Sequence, residues 1–141
     1  MLRRQSPGEG VQMTFAINHI HLKADDPQRS AAWWGQAFNF RIVNDELRAG
    51  GVRFVTCESE NGIRVNISGV PTGETLARGD AGVHEGIEHF GFDSENLEAD
   101  IARLEALGAT CVVAPFQAST MRVAFVEVPD HVRIELMERP S

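Results

Sequence analysis

A chain of 141 residues with 13 basic and 20 acidic side chains, a net charge of −7 and 43% hydrophobic residues is suited to one globular core, not to two. The negative balance repels phosphate backbones and anionic bilayer surfaces, so neither nucleic acid nor a membrane is an expected partner. No run approaches the roughly 20 apolar residues of a bilayer span, residues 1–10 lack the apolar run of a signal peptide, and the two distant cysteines, Cys57 and Cys111, read as reduced core residues of a cytoplasmic protein.

Residues 1–13 are polar and glycine-rich and end in Met13; they read as a flexible tail before a single domain over 14–141. From Phe15 to Lys23 the alternation predicts a strand with Asn18, Ile20 and Leu22 on one face and Ile17, His19, His21 and Lys23 on the other. Asp26 is a good N-cap and Pro27 suits the first helical position, so a helix is expected through Arg29, Ala32, Trp33 and Phe38, stopping near Asn39. Trp33, Trp34, Phe38 and Phe40 fit packing of that helix on a sheet. Strands follow around Arg41–Asn44, Val52–Cys57 and Ile63–Ser68, the last two joined through the turn signal Asn61-Gly62.

Gly69 to Gly86 carries Pro71-Thr72-Gly73, Gly79-Asp80 and Gly82 and reads as a mobile loop at the edge of a cavity, with His84 and Glu85 able to deliver an acid or base. Ile87-Glu88-His89-Phe90-Gly91-Phe92 then opens a second strand–helix–strand series. Ser94 or Asn96 caps a helix through Ile101, Leu104 and Leu107 that closes at Gly108, and strands follow around Cys111–Val113, Arg122–Val128 and Val132–Met137. The chain thus predicts two copies of a βαβββ unit, about 14–69 and 86–138.

The copies match in detail. Ile63-Arg64-Val65-Asn66-Ile67 aligns with Val132-Arg133-Ile134-Glu135-Leu136, each after a Phe-Val strand at Phe54-Val55 and Phe125-Val126. His19 to Asn66 is 47 positions and His89 to Glu135 is 46, so each unit sets one imidazole on its first strand and one oxygen-bearing side chain on its last. The four form a pseudo-twofold constellation.

His19 followed by Leu22-Lys23, Asp26 and Gln28-Arg29-Ser30, the pair Trp33-Trp34, and the closing Phe125-Val126, Pro129-Asp130 and Ile134-Glu135-Leu136 together resemble the vicinal oxygen chelate superfamily of glyoxalases, epimerases, extradiol dioxygenases and fosfomycin and bleomycin resistance proteins, over roughly Ile17 to Glu138. The resemblance implies an α+β fold in which the two units curl into a half-barrel cup that binds a small-molecule substrate. It also implies metal ligands at His19, Asn66, His89 and Glu135, and a homodimer in which strands of both chains complete each cavity. The amide at Asn66 departs from the glutamate of glyoxalase I toward the amide of the epimerase branch, and His131 replaces the usual glycine of a Pro-Asp-Gly turn.

Imidazole and carboxylate donors suit one divalent ion, Zn²⁺, Fe²⁺, Mn²⁺, Co²⁺ or Ni²⁺, and leave positions open for two adjacent substrate oxygens. Glu135 is the candidate proton shuttle as well as a ligand, while His21 and Lys23 share the His19 face and are candidate substrate-binding residues, Lys23 offering a cation to an anionic group. The chemistry expected is isomerase, epimerase or lyase. An extradiol-type dioxygenase is the alternative enzyme, weakened by the absence of any tyrosine, and a metal-free drug-binding protein is the non-enzymatic one.

Overall fold

The computed structural model describes residues 14–141, so the tail expected over 1–13 lies outside the described residues. The elements run β1 (Ile20–Lys23), α1 (Pro27–Phe38), β2 (Arg41–Arg48), β3 (Val52–Glu58), β4 (Arg64–Ser68), β5 (Phe90–Ser94), α2 (Leu97–Ala106), β6 (Thr110–Ala118), β7 (Met121–Val128) and β8 (Val132–Glu138). They build two four-stranded sheets of identical order, β1-β4-β3-β2 and β5-β8-β7-β6. In each, the first strand runs parallel to the last and the other pairs are antiparallel. This is an α+β fold of two βαβββ units.

Local chemistry sets the helix ends. The Asp26 carboxylate accepts from the Arg29 N–H, Pro27 occupies the first turn, and Asn39 ends α1 in the left-handed region at φ 57°. Asn96 caps α2 by accepting from the Ala99 N–H, and the Ser94 hydroxyl accepts from the Asn96 N–H. Gly108 follows at φ 101°, a conformation with no steric cost for glycine.

The strand ends differ from expectation for a ladder reason. Among the described residues a strand from Phe15 has no partner before Ile20, because β4 meets β1 first at Val65. Thr14 to His19 therefore precede the sheet. Likewise β5 begins at Phe90, opposite Ile134, and not at Ile87. The expected match of Phe54-Val55 with Phe125-Val126 is out of step by two residues: Thr56 stands opposite Asn66 and Phe125 opposite Glu135. The β3–β4 connection over 59–63 is longer than the turn over 129–131, and that difference shifts one strand against the other.

The two units share one core. Trp34 is fully buried and stacks on Phe40 at 5.1 Å and on Phe90 of the other unit at 5.8 Å, while Phe38 stacks on Phe92 at 4.0 Å. Val55, Val65, Ile67, Val126, Ile134 and Leu136 are buried beneath the helices. Strand alternation then turns the residues between them, Thr56, Asn66, Phe125, Arg133 and Glu135, to the opposite face of the sheets. Polar bonds also cross between units: Trp33 Nε1 donates to the Leu107 carbonyl at 2.7 Å and the Arg103 guanidinium to that of Ala37 at 2.7 Å. Among the described residues, no helix is long and apolar enough to cross a membrane.

Candidate functional site

In the second unit the expected histidine and carboxylate meet. Glu135 sits mid-strand in β8 with Gly91 of β5 on one side and Phe125 of β7 on the other. His89 immediately precedes β5, and its Nε2 lies 2.8 Å from Glu135 Oε2. The other ring nitrogen, Nδ1, is 3.1 Å from Glu88 Oε1. Phe125 supports the imidazole edge-to-face at 5.1 Å. A Cβ at Gly91 would meet the Glu135 carbonyl oxygen at 3.3 Å, so the missing side chain lets β5 lie close against β8 beside the carboxylate.

The first unit repeats this plan with neutral groups. His19 precedes β1, and its Nδ1 faces Asn18 Oδ1 as that of His89 faces Glu88. Asn66 sits mid-strand in β4, opposite His21 of β1. His21 Nε2 lies 2.7 Å from the Ser68 hydroxyl, which also accepts from Lys23 Nζ at 2.9 Å. Lys23 gives a second hydrogen bond to the Gly69 carbonyl at 2.9 Å. Burial, and then the Lys23 charge, hold the His21 imidazole below its ordinary range. Its ring packs edge-to-face on Phe54, whose ring also carries the Arg48 guanidinium at 3.6 Å.

A cavity of about 610 Å³ opens between the edge strands β1 and β5. His21 and Lys23 line it from one unit and His89 and Arg133 from the other. The joining segment forms a further wall through Leu76–Asp80 and His84. Gly79 presses on the β7–β8 turn so closely that a Cβ there would meet the Asp130 carbonyl oxygen at 3.0 Å. His84 has carbonyl oxygens against both ring nitrogens, Glu85 at 2.8 Å and Asp80 at 3.1 Å, and the Glu85 bond raises its pKa first. His131 stands at the rim in the left-handed region at φ 59°, anchored through Nδ1 to Glu127 Oε2 at 2.8 Å.

A family model described as the Glyoxalase/Bleomycin resistance protein/Dioxygenase superfamily matches residues 16–136. The chain belongs to that superfamily. No curated protein matches it in sequence. Among solved structures, a glyoxalase family protein from Bacillus cereus shares the fold with a TM-score of 0.80 at 14% identity, covering 94% of this chain and 99% of that one. A genomically encoded fosfomycin resistance protein from Listeria monocytogenes aligns with a TM-score of 0.66 at 16% identity, over 91% of this chain and 94% of its own. TioX from Micromonospora aligns with a TM-score of 0.60 at 22% identity, over 86% and 98%.

Whether a divalent ion suits this superfamily member is a question of donor chemistry. Two atoms bound at right angles to one ion at about 2.1 Å stand about 3 Å apart, close to the 2.8 Å between His89 Nε2 and Glu135 Oε2. A neutral imidazole has one N–H and one lone pair, so with carboxylate oxygens against both ring nitrogens one of the two carboxylates meets the lone pair. A cation shared between that nitrogen and the carboxylate satisfies the arrangement. His89 and Glu135 therefore fit two positions of a metal shell. His19 is not gathered onto them, since among the described residues no group of three or more His, Cys, Asp or Glu side chains could hold a metal ion, and Asn66 stands in the other sheet opposite His21.

Three residues of this site escaped sequence reasoning. Glu88 orients His89, Phe125 packs on it, and Arg133 stacks on Phe125 with its guanidinium 4.4 Å from the ring centroid. The signal for Arg133 was present in the alignment of Arg64-Val65-Asn66 with Arg133-Ile134-Glu135, which puts it on the Glu135 face.

Proposed function

We propose that this chain is a divalent-metal-dependent enzyme that binds adjacent oxygens of a small substrate for isomerase, epimerase or lyase chemistry. The observation that carries the reading is the 2.8 Å approach of His89 Nε2 to Glu135 Oε2, with Glu88 orienting the imidazole from behind. His89 and Glu135 would hold the ion with His19, and Asn66 would offer an amide oxygen. When bound, such an ion supplies Lewis-acid polarisation of the substrate oxygens.

The chain's own residues supply the rest. The Glu135 carboxylate is also the candidate proton acceptor, returning the proton to the neighbouring substrate atom. His21, kept toward its neutral form, and Lys23 bind the substrate from the opposite wall. Lys23 has two of its three N–H groups engaged, by Ser68 and Gly69, which fixes the direction of the third.

His19 and Asn66 join the donor set through a second copy of the chain. Ile17 and Ile87, repeat mates two residues before His19 and His89, are 97% and 82% exposed, an apolar pair suited to such a homodimer.

Metal analysis of protein purified without chelator tests the reading, with about one equivalent per chain expected for a two-histidine, one-carboxylate site. A second reading, a metal-free small-molecule binder, is favoured by the lack of a three-donor group among the described residues. No bound ion after supplementation with Zn²⁺, Fe²⁺, Mn²⁺, Co²⁺ and Ni²⁺ in turn would establish it over the enzyme.

A further inference from the structure

Arg133 has a cost that its visible partners do not offset. Its side chain is only 10% exposed, yet Nε has no hydrogen-bond partner among the described residues. The nearest carboxylate oxygen, Glu88 Oε1, is 3.6 Å away, an ion-pair distance too long for a hydrogen bond, and that oxygen already faces His89 Nδ1 at 3.1 Å. Of five guanidinium N–H groups, the one placed bond runs from Nη1 to the Ala81 carbonyl oxygen at 3.1 Å. Burying a guanidinium with donors unfilled is expensive unless an anion meets it.

The surroundings make Arg133 a recognition group and not a surface charge that happens to be covered. Phe125 fixes the plane of the guanidinium from one side. Ala81 ties one of its ends to the joining segment, and the residue lines the cavity beside His89. Its repeat mate Arg64 shows the alternative fate: its side chain is 48% exposed and lies 3.5 Å from Glu58. Same-face neighbours on a strand are about 6.6 Å apart, which is the offset between Arg133 and Glu135 along β8.

We infer that Arg133 recognises a carboxylate of the substrate, so that the ligand is a small carboxylic acid whose charged end lies beside the His89–Glu135 pair on the Arg133 side. The location of the substrate's adjacent oxygens at that pair rests on the proposed function; the carboxylate recognition rests on Arg133 alone.

Succinate and its uncharged isostere succinamide separate the two. Each is titrated into metal-free, ¹⁵N-labelled protein while the arginine Nε–Hε signals are followed, and binding of Zn²⁺, Fe²⁺, Mn²⁺, Co²⁺ and Ni²⁺ is measured in turn on the same preparation. Succinate should bind at least about tenfold more tightly than succinamide and should shift the Arg133 Nε–Hε signal, as a charge-assisted, two-point contact requires. In Arg133→Gln that preference should fall to within about twofold. Equal affinities in the wild type, or a preference that survives Arg133→Gln, would overturn the inference. Should Arg133→Gln not fold, Arg133→Lys keeps the charge but loses the planar fork: a reduced preference supports the assignment, an unchanged one removes it. Protein that prefers succinate yet binds none of these five ions retains this inference and loses the metal reading, and the reverse result does the opposite.

Discussion

The two halves of this molecule have one topology and different electrostatics. At the position before the histidine, the first unit has Asn18 and the second Glu88; mid-way along the last strand, the first has Asn66 and the second Glu135. Two residues after the histidine, the first unit has His21 opposite Asn66 where the second has Gly91 opposite Glu135. The backbone plan is thus indifferent to which side chains occupy its concave positions, because the helices and the shared aromatic core lie on the opposite face. A cation placed between the units would find its charge complement in the second unit and neutral donors in the first.

That asymmetry is open to direct attack. His89→Ala should abolish stoichiometric metal binding while leaving the fold intact, since the ring is half-buried and outside the core cluster. His19→Ala should weaken binding by at least about tenfold if its imidazole joins the donor set. Calorimetric titration with Mn²⁺ checks both. Full metal content in His89→Ala would remove the ligand assignment, and unchanged affinity in His19→Ala would place the ion in the second unit alone.

Much of this was legible in the sequence, for reasons that also explain the failures. Asp26-Pro27 and Asn96 announced the helices because capping is local chemistry. The histidine-to-last-strand interval survived in both units because it counts whole elements. The Phe-Val correspondence did not survive, because a longer β3–β4 connection shifts one strand by two residues, a full pleat period that leaves face assignments intact and changes only the partners. Arg64 and Arg133 read as the same residue in the same motif. Only the fold shows that the joining segment, through Ala81, covers one of them.

A smaller effect sharpens the comparison one step further from the metal. Glu88→Ala removes the carboxylate that fixes the His89 ring, and loss of such a partner costs about tenfold or more in metal affinity. Asn18→Ala should cost less, because a neutral amide polarises the imidazole less than a carboxylate does. Equal losses would mean that the two supports differ in name only.

Making the first unit resemble the second should act in the other direction. Asn66→Glu adds a charged donor at the position that matches Glu135, and should raise metal affinity severalfold. Unchanged affinity in a folded protein would show that Asn66 does not face the ion and that the site has three protein ligands.

The smallest expected effect tests the turns where the units part. The β3–β4 connection contains Gly62 at φ 86°, whereas the β7–β8 turn places Asp130 at φ 68° and uses its carboxylate to accept from the Ser30 hydroxyl at the start of α1. Burial holds the Asp130 carboxyl above its ordinary value of 3.8, against the opposing pull of the Ser30 bond. A raised native pKa means that the folded state takes the proton more readily than the unfolded chain. Its contribution to stability is therefore complete below pH 3.8 and is lost as pH rises through the native value. Asp130→Asn removes that ionisation, retains an oxygen to accept from Ser30, and keeps a residue tolerated in the left-handed region. Thermal melts should show the variant more stable at neutral pH by less than about 1 kcal/mol, since the turn is half solvated, with the gain vanishing as the pH falls toward 3. A gain that persists undiminished in acid would assign the effect to backbone preference and not to the buried charge.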